Sequence, residues 1–199
     1  MPIGIPKVPF QGPEDDDAAW IDLYNRLYRQ RALFLGQRVD SLITNQIIGI
    51  MLYLTIEDPK KKMELFINSP GGSITSGIAI YDLMQVLEPE VHTICIGEAA
   101  SMAAFVLLGG EITKRMAFPH ARVMIHQAIA DLRPKTKTLD YISELNEVIT
   151  LYHMIVNLYA QRTGKPAWVI REDMARDTFM SAEEAQAHGI IDLIVTDEE

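Results

Sequence analysis

The chain has 199 residues, of which 48% are hydrophobic and 23% are charged, and its formal net charge is −9. This length is enough for one domain with a substantial core, and the acidic balance offers no basic patch for nucleic acid. The single cysteine, Cys95, excludes an intramolecular disulfide framework, and its apolar neighbours indicate an inert core residue. No uncharged apolar stretch reaches about 18 residues, so no membrane span is predicted.

The first part of the chain is predicted to contain an arm, two helices and a short strand. Residues 1–17 are rich in Pro, Gly and Asp and are predicted to form a mobile arm outside the packed core. Apolar residues at helical spacing predict an amphipathic helix over residues 18–31. A short strand, Ala32–Leu35, and an apolar helix over residues 39–56, capped near Asp40 or Ser41, come next.

Two strand–turn–helix units occupy the middle of the chain. A strand over residues 63–68 leads through Gly71 and Gly72 into a helix that begins near Ile74. A second strand, over residues 94–96, leads through a run of small residues into another helix. This alternation predicts an α/β fold whose core sheet is mostly parallel.

The last third of the chain is predicted to be mainly helical and to end in a strand. A long helix over residues 139–161 carries apolar residues on several faces and therefore needs partners on several sides. Residues 181–184 have the sequence of a capping box, and Gly189 ends that helix. A final strand at about residues 190–195 completes the one domain predicted over residues 18–199.

The segment TICIGEAASMAA, residues 93–104, places one serine between a buried strand and the start of a helix. Such a turn presents the Ser101 hydroxyl at a helix N-terminus, where free backbone N–H groups favour negative charge. A serine nucleophile needs that setting, because its tetrahedral intermediate carries an oxyanion. The alternative, from this segment alone, is a serine that only caps the helix.

A histidine follows a short apolar strand in the sequence RVMIHQ, residues 122–127. At the end of that strand, His126 would face the mouth of the Ser101 turn and act as its base. The alternative is a structural histidine that only makes a hydrogen bond. The other histidines do not follow a buried run in this way: His92, His120, His153 and His188.

Paired glycines end the sequence INSPGG, residues 67–72. Gly71 and Gly72 allow a positive φ and the close approach of a substrate backbone. They would supply an N–H group to an oxyanion or pair with an extended peptide, and the alternative is an ordinary strand-to-helix turn. They do not form a phosphate loop, because no Gly-Lys-Ser/Thr follows at the required spacing.

Four segments together resemble the proteolytic subunits of the Clp protease family in order and spacing. They are INSPGG, the GEAASM turn, KRMAFPHARVMIHQ and RDTFMSAEEAQAHGIID, and the resemblance covers about residues 20–195. The opening MPIGIPKVPF, with DLYNRLYRQRALFLGQ and GGEITKR, most resembles the plastid-encoded form. The resemblance implies a crotonase-like ββα superhelix with a protruding handle over about residues 128–162, and an axial loop in residues 1–17.

The resemblance also implies a catalytic triad. Its nucleophile falls on Ser101, its base on His126 and its carboxylate on Asp177, within RDTF. Without the family pattern, Asp140 and Asp173 are equally plausible carboxylates.

Further roles follow from the same resemblance. The oxyanion donors are the backbone N–H groups of Gly72 and Met102. Arg176 resembles the family's residue that makes an ion pair between two rings. Apolar positions where a chaperone docks fall on three residues: Leu52, Tyr53 and Phe66.

A serine endopeptidase of this family hydrolyses unfolded polypeptides to short peptides inside a barrel. The resemblance implies two stacked seven-membered rings of homologous subunits and an AAA+ unfoldase that uses ATP, so the chain itself needs no cofactor. No metal site is predicted, because no His, Cys and Glu cluster has ligand spacing. The N-terminus shows no signal or transit pattern, which favours synthesis where the protein works. The resemblance implies that this place is the chloroplast stroma or, alternatively, the cytoplasm of a cyanobacterium.

Three positions depart from the family pattern. Ala128 stands where a proline usually follows His-Gln, and its greater backbone freedom would loosen the strand that pairs with substrate. Glu98 replaces a neutral residue three positions before Ser101. In the family, the surface hollow that receives chaperone loops usually has an aromatic residue at the position of Glu64.

Two other classes of protein share this fold. A non-catalytic ring subunit usually lacks one or more triad residues, whereas this chain keeps all three. A crotonase-type acyl-CoA enzyme shares the glycine turn, but it is normally longer and has acidic residues in place of the serine and histidine.

Overall fold

The structure of the protein, a computed structural model, describes residues 4–11, 19–127 and 138–196. Within these ranges the chain forms nine strands and seven helices. The strands are β1 (Lys7–Phe10), β2 (Ala19–Asp22), β3 (Ala32–Leu35), β4 (Met63–Ser69), β5 (Val91–Ala100), β6 (Arg115–Ala117), β7 (Arg122–Ile125), β8 (Thr178–Met180) and β9 (Leu193–Ile194). The helices are α1 (Leu23–Arg29), α2 (Ser41–Glu57), α3 (Ile74–Val86), α4 (Met102–Leu108), α5 (Thr138–Thr163), α6 (Ala167–Met174) and α7 (Ala182–His188).

The main sheet contains strands β3 to β9 and is mostly parallel. Its order is β3-β4-β5-β6-β9, and β7 pairs with both β5 and β8. The central strand β5 divides its partners, because residues 93–95 pair with β6 and residues 98–100 pair with β7. The β7–β8 pair is antiparallel. The α/β class predicted from the sequence is confirmed, and the alternation of strands and helices agrees with a ββα superhelix.

Helix α4 is buried along its whole length. Its seven residues are all apolar, and a helix that is apolar all round is stable only inside a protein. The Phe105 ring stacks on Tyr81 of α3 with 4.5 Å between ring centroids, and it contacts Tyr159 of α5 at 5.8 Å. Packing from both sides therefore fixes the helix that begins after Ser101.

Two helix starts agree with the capping residues predicted from the sequence. The Asp40 carboxylate accepts hydrogen bonds from the backbone N–H groups of Leu42 and Ile43 at the start of α2. Ser181 and Glu184 form a reciprocal capping box at the start of α7. These side chains satisfy N–H groups that have no partner within the helix.

The predicted helix over residues 18–31 is wrong at its N-terminal end. Ala19–Asp22 forms β2, which pairs antiparallel with β1. The Asp22 carboxylate accepts hydrogen bonds from the N–H groups of Tyr24 and Asn25, so α1 begins only after Asp22. The prediction of an arm over residues 1–17 also did not anticipate β1, a strand within that segment.

The long helix predicted over residues 139–161 is confirmed as α5. Its sides differ, because Val156 and Tyr159 are buried whereas Leu139 and Ile142 are exposed. The first part of the predicted handle, including Ala128, lies outside the described residues.

Across the part of the chain that the structure describes, no helix combines the length and the hydropathy needed to cross a bilayer.

An ion pair between Arg115 and Asp192 joins β6 to the turn before β9. The Arg115 Nη2 atom lies 2.6 Å from Asp192 Oδ1, and Nε lies 2.9 Å from Oδ2. Burial raises the pKa of Asp192, but the hydrogen bonds and charge of Arg115 outweigh burial and hold this pKa below its usual 3.8. Because the folded-state pKa is depressed, the pair stabilises the fold above pH 3.8, and this stability is lost as the pH falls through the folded-state value.

Replacing Asp192 by Asn is therefore expected to lower the free energy of unfolding at pH 7 by about 1.5–3 kcal/mol, the usual size for hydrogen bonds to a charged group. Urea unfolding of the wild type and the variant at pH 7 and below pH 3.8 measures this loss. The difference between their free energies of unfolding should be smaller at the acidic pH. Glu88→Gln, which removes an exposed carboxylate, is the control. An equal loss at both pH values would contradict the assignment.

Candidate active site

Ser101 and His126 lie within hydrogen-bond distance of one another. The Ser101 Oγ atom is 2.8 Å from His126 Nε2. Ser101 follows β5 and His126 follows β7, and these two strands are parallel neighbours with Ala100 opposite Met124. The carboxyl ends of adjacent parallel strands meet at one edge of the sheet, so the pairing itself brings the hydroxyl and the imidazole together.

Ser101 has an unusual backbone conformation, with φ +55° and ψ −122°. A positive φ is uncommon outside glycine, and conformations of this kind cost about 1–3 kcal/mol and persist only where the surroundings impose them. The Ser101 N–H donates to the Met124 carbonyl at 2.8 Å, and the Ser101 carbonyl accepts from the Phe105 N–H at 3.2 Å. These two bonds hold the strained turn between β5 and the buried helix α4.

Asp177 lies on the other side of the imidazole. Its Oδ1 atom is 3.2 Å from His126 Nδ1, and its side chain is 63% exposed in the single chain. Asp177 directly precedes β8, and the antiparallel register places Thr178 opposite Ile125, the residue before His126. Asp173, one of the alternative carboxylates, instead lies 2.8 Å from His188 Nε2. The side chain of Asp140, the other alternative, lies outside the described part of the chain.

The paired glycines approach the serine turn closely. Both have positive φ, +82° for Gly71 and +156° for Gly72. A Cβ atom on Gly71 would lie 2.4 Å from the Ala100 carbonyl oxygen and 2.7 Å from Ser101 Cβ. Only a residue without a side chain allows this approach, so the first glycine has a structural role that the sequence pattern did not assign.

The backbone N–H groups of Gly72 and Met102 are the candidates for oxyanion donors. The Val39 N–H donates to the Gly71 carbonyl, the Ser73 N–H donates to the Val39 carbonyl, and the Gly71 N–H donates to Ser69 Oγ. None of these three hydrogen bonds uses the Gly72 N–H. Met102 is the first residue of α4, where an N–H group has no partner within the helix. Both candidates for oxyanion donors thus belong to the segments that meet at Ser101.

A cavity of about 340 Å³ opens at these residues. Its polar side is formed by Ser101, His126 and the glycine turn, and its apolar side includes three residues of α5. These are Tyr152, Ile155 and Tyr159. The sequence indicated that α5 needs partners on several sides, but not that one side lines the cavity beside the serine.

The remaining predicted positions lie away from this cavity. Arg176 is exposed, next to Asp177. Leu52 and Tyr53 are exposed on α2, whereas Phe66 lies on β4 and stacks on Phe34 with 5.4 Å between ring centroids. The structure thus places the predicted docking residues on two different elements.

Two of the positions that depart from the family pattern make defined contacts. The Glu64 carboxylate pairs with Lys62 Nζ at 2.9 Å. The backbone N–H of Glu98 donates to Asn68 Oδ1 at 3.2 Å.

Burial, and secondarily the charge of Glu98, raises the pKa of Cys95 to about 12, so this thiol stays protonated at neutral pH.

Comparison with known proteins identifies the family. The family model described as Clp protease matches residues 15–198. A protein of Eucalyptus globulus subsp. globulus named ATP-dependent Clp protease proteolytic subunit is 62% identical over 98% of this chain and 98% of its own length. Proteins of the same name from Spinacia oleracea and Lactuca sativa are 60% and 59% identical over 99% of this chain and all of their own length. The chain belongs to the Clp protease family, a family of serine proteases.

Proposed function

We propose that this chain is a catalytic subunit of an ATP-dependent Clp protease and hydrolyses peptide bonds with Ser101, His126 and Asp177 as its triad. The observation that carries the proposal is the continuous hydrogen-bonded path from Ser101 Oγ through both ring nitrogens of His126 to Asp177. A triad is defined by this geometry and not by the order of its residues in the chain.

The mechanism follows from the positions of these groups. His126 Nε2 accepts the Ser101 proton as Oγ attacks the peptide carbonyl carbon, and Asp177 holds the imidazole in the required tautomer and stabilises the imidazolium. The N–H groups of Gly72 and Met102 would stabilise the oxyanion, and losing one such donor typically slows hydrolysis about 100- to 1000-fold. His126 then gives the proton to the leaving amine. A water molecule, deprotonated in turn by His126, hydrolyses the acyl-enzyme and releases Ser101.

A fluorophosphonate probe tests the proposal directly, because it forms a covalent adduct only with an activated serine. In the native complex we expect the adduct on Ser101, located by peptide mass spectrometry, and its loss in His126→Ala. If Ser101 stays unlabelled in an intact complex whose other subunits are labelled, this chain is a structural ring member and the proposed triad is wrong.

We further propose that the chain assembles with homologous subunits into two stacked seven-membered rings fed by an AAA+ unfoldase. The exposed apolar residues of α5, such as Leu139 and Ile142, fit a handle covered by the opposite ring. Leu52, Tyr53 and Phe66 remain the proposed docking positions for the unfoldase. Residues 18–199 would act as one peptidase domain behind an axial loop formed by residues 1–17.

In this proposal ATP is used by the unfoldase, and the hydrolytic step requires no metal or other cofactor from the chain. Unfolded polypeptides are the substrates. Full-length relatives from flowering plants support a plastid location, and we propose the chloroplast stroma as the compartment.

Arg176 is proposed to couple assembly to the triad. It adjoins Asp177, whose carboxylate is largely exposed in the single chain, so a contact made at Arg176 would bear on the position of that carboxylate. Arg176→Ala is expected to give an assembled particle with little activity, measured by gel filtration and peptide hydrolysis. Arg171→Ala, on the exposed side of α6, is the matched control. Full activity of the Arg176 variant would remove this role.

A further inference from the structure

Arg38 lies at the rim of the cavity that holds Ser101 and His126. It belongs to the short segment between β3 and α2 and directly precedes Val39. Two backbone hydrogen bonds, from the Val39 N–H to the Gly71 carbonyl and from the Ser73 N–H to the Val39 carbonyl, join this segment to the glycine turn. The Arg38 backbone is therefore fixed beside the proposed oxyanion donor, although its side chain is exposed.

Arg38 is also the one permanently charged side chain among the described residues that line this cavity. The other lining groups are apolar, are backbone, or carry hydroxyl, amide, thioether or imidazole groups. Within residues 4–11, 19–127 and 138–196, no ion pair or hydrogen bond occupies the Arg38 guanidinium, in contrast to Arg31, Arg115 and Arg162. In a chain whose net charge is −9, a cation without an internal partner beside the serine is available to a ligand.

We propose that Arg38 binds a carboxylate of the substrate chain close to the bond that is cut, and so gives this subunit a preference for acidic peptides. A guanidinium presents its N–H donors in a planar fork that matches a carboxylate in two parallel hydrogen bonds. The carboxylate comes from an Asp or Glu side chain or from the free C-terminus of the peptide. This inference rests on the proposed function, because the cavity must be where the peptide binds.

The expected preference is modest and depends on salt. An exposed ion pair contributes up to about 1 kcal/mol, which corresponds to about a 5-fold difference in kcat/KM. Because the Debye length falls from about 10 Å at 0.1 M salt to about 3 Å at 1 M, the preference should be weaker at the higher concentration. A preference that came from side-chain size would not respond to salt in this way.

The test uses internally quenched peptides that differ only by Glu or Gln at single positions on either side of the bond that is cut. A further pair differs only in having a free or an amidated C-terminus. Hydrolysis is measured with the assembled complex that contains the full-length chain, and a complex carrying Ser101→Ala supplies the blank. The variants are Arg38→Gln and, as a control for the same change in net charge, Arg171→Gln on α6.

We expect the wild type and Arg171→Gln to cleave the carboxylate peptide about 5-fold better than its neutral partner, and Arg38→Gln to cleave both alike. The peptide pair that shows the effect identifies whether the side chain or the C-terminus is the source. If no pair distinguishes the wild type from Arg38→Gln, the inference is overturned. That result leaves the proposed function intact. The triad would be contradicted by a separate outcome, in which the wild-type complex hydrolyses the peptides no faster than the Ser101→Ala complex.

Discussion

Ser101→Ala and His126→Ala are each expected to reduce kcat for peptide hydrolysis by about a million-fold, and the double variant is expected to lose no more. The reason is that the two residues act as one unit in the proposed triad. Without Nε2 as proton acceptor, the hydroxyl 2.8 Å away stays protonated and unreactive, and without the hydroxyl the imidazole has no nucleophile to activate. The activity that remains would come from substrate binding and the oxyanion donors alone.

The measurement is hydrolysis of a fluorogenic peptide by the assembled complex, together with gel filtration to show that assembly is intact. His120→Ala is the matched control, because His120 is an exposed histidine in the turn before β7. It should leave kcat unchanged. Additive losses in the double variant would contradict a shared proton-transfer unit, and unchanged activity in either single variant would contradict the proposed triad.

Gly71→Ala is expected to lower activity by about 100-fold or more while leaving most of the fold in place. The added Cβ would lie 2.4 Å from the Ala100 carbonyl oxygen and 2.9 Å from the Met102 backbone nitrogen. Both are backbone atoms, so neither can move away by a change of rotamer as the end of a long side chain would. The φ of +82° adds strain of about 1–2 kcal/mol for an L-residue. The clash and the backbone strain are relieved only if the glycine turn and the serine turn move apart. A displacement of about 1 Å at the reacting groups lowers the rate about 100-fold.

Gly36→Ala provides the control, since Gly36 lies just after β3 and a Cβ atom there has no neighbour within 4 Å. We expect it to retain wild-type kcat/KM and thermal stability. The Gly71 variant should show a lower kcat and slower labelling of Ser101 by the fluorophosphonate probe. Wild-type labelling in Gly71→Ala would mean that the two turns tolerate separation and that their close contact is not needed for reactivity.

The sequence predicted the part of this site that short-range patterns encode. A buried strand followed by small residues and a helix located Ser101, and an apolar strand that ends in a histidine located His126. Parallel neighbours share a carboxyl edge, so the proximity of the two residues follows once the sheet is assumed. The helix starts at Asp40 and Ser181 could also be predicted from the sequence, because a capping side chain acts on residues only two or three positions away.

Pairings between residues far apart in the chain could not be predicted from the local sequence in the same way. Nothing in the local pattern distinguishes Asp177 from Asp173, and the antiparallel β7–β8 register is what places the former beside His126. Strand β2 was predicted as the start of a helix because its residues also fit helical spacing, and its pairing with β1 overrides that preference. The approach of Gly71 to Ser101 and the place of Arg38 at the cavity rim likewise depend on which strands meet.

The order of these pairings along the chain has a consequence for the protein while it is being made. Ser101 and His126 lie at about half and two thirds of the chain, whereas Asp177 and strands β8 and β9 lie within the last 23 residues to be synthesised. Strand β6 can pair with β5 at once, but its pairing with β9 and the ion pair of Arg115 with Asp192 need residues that come about 77 positions later. Closing pairings of such separation is slow compared with forming local helices. The proposed triad is therefore incomplete in a nascent chain until synthesis is nearly finished, because its carboxylate is supplied by Asp177.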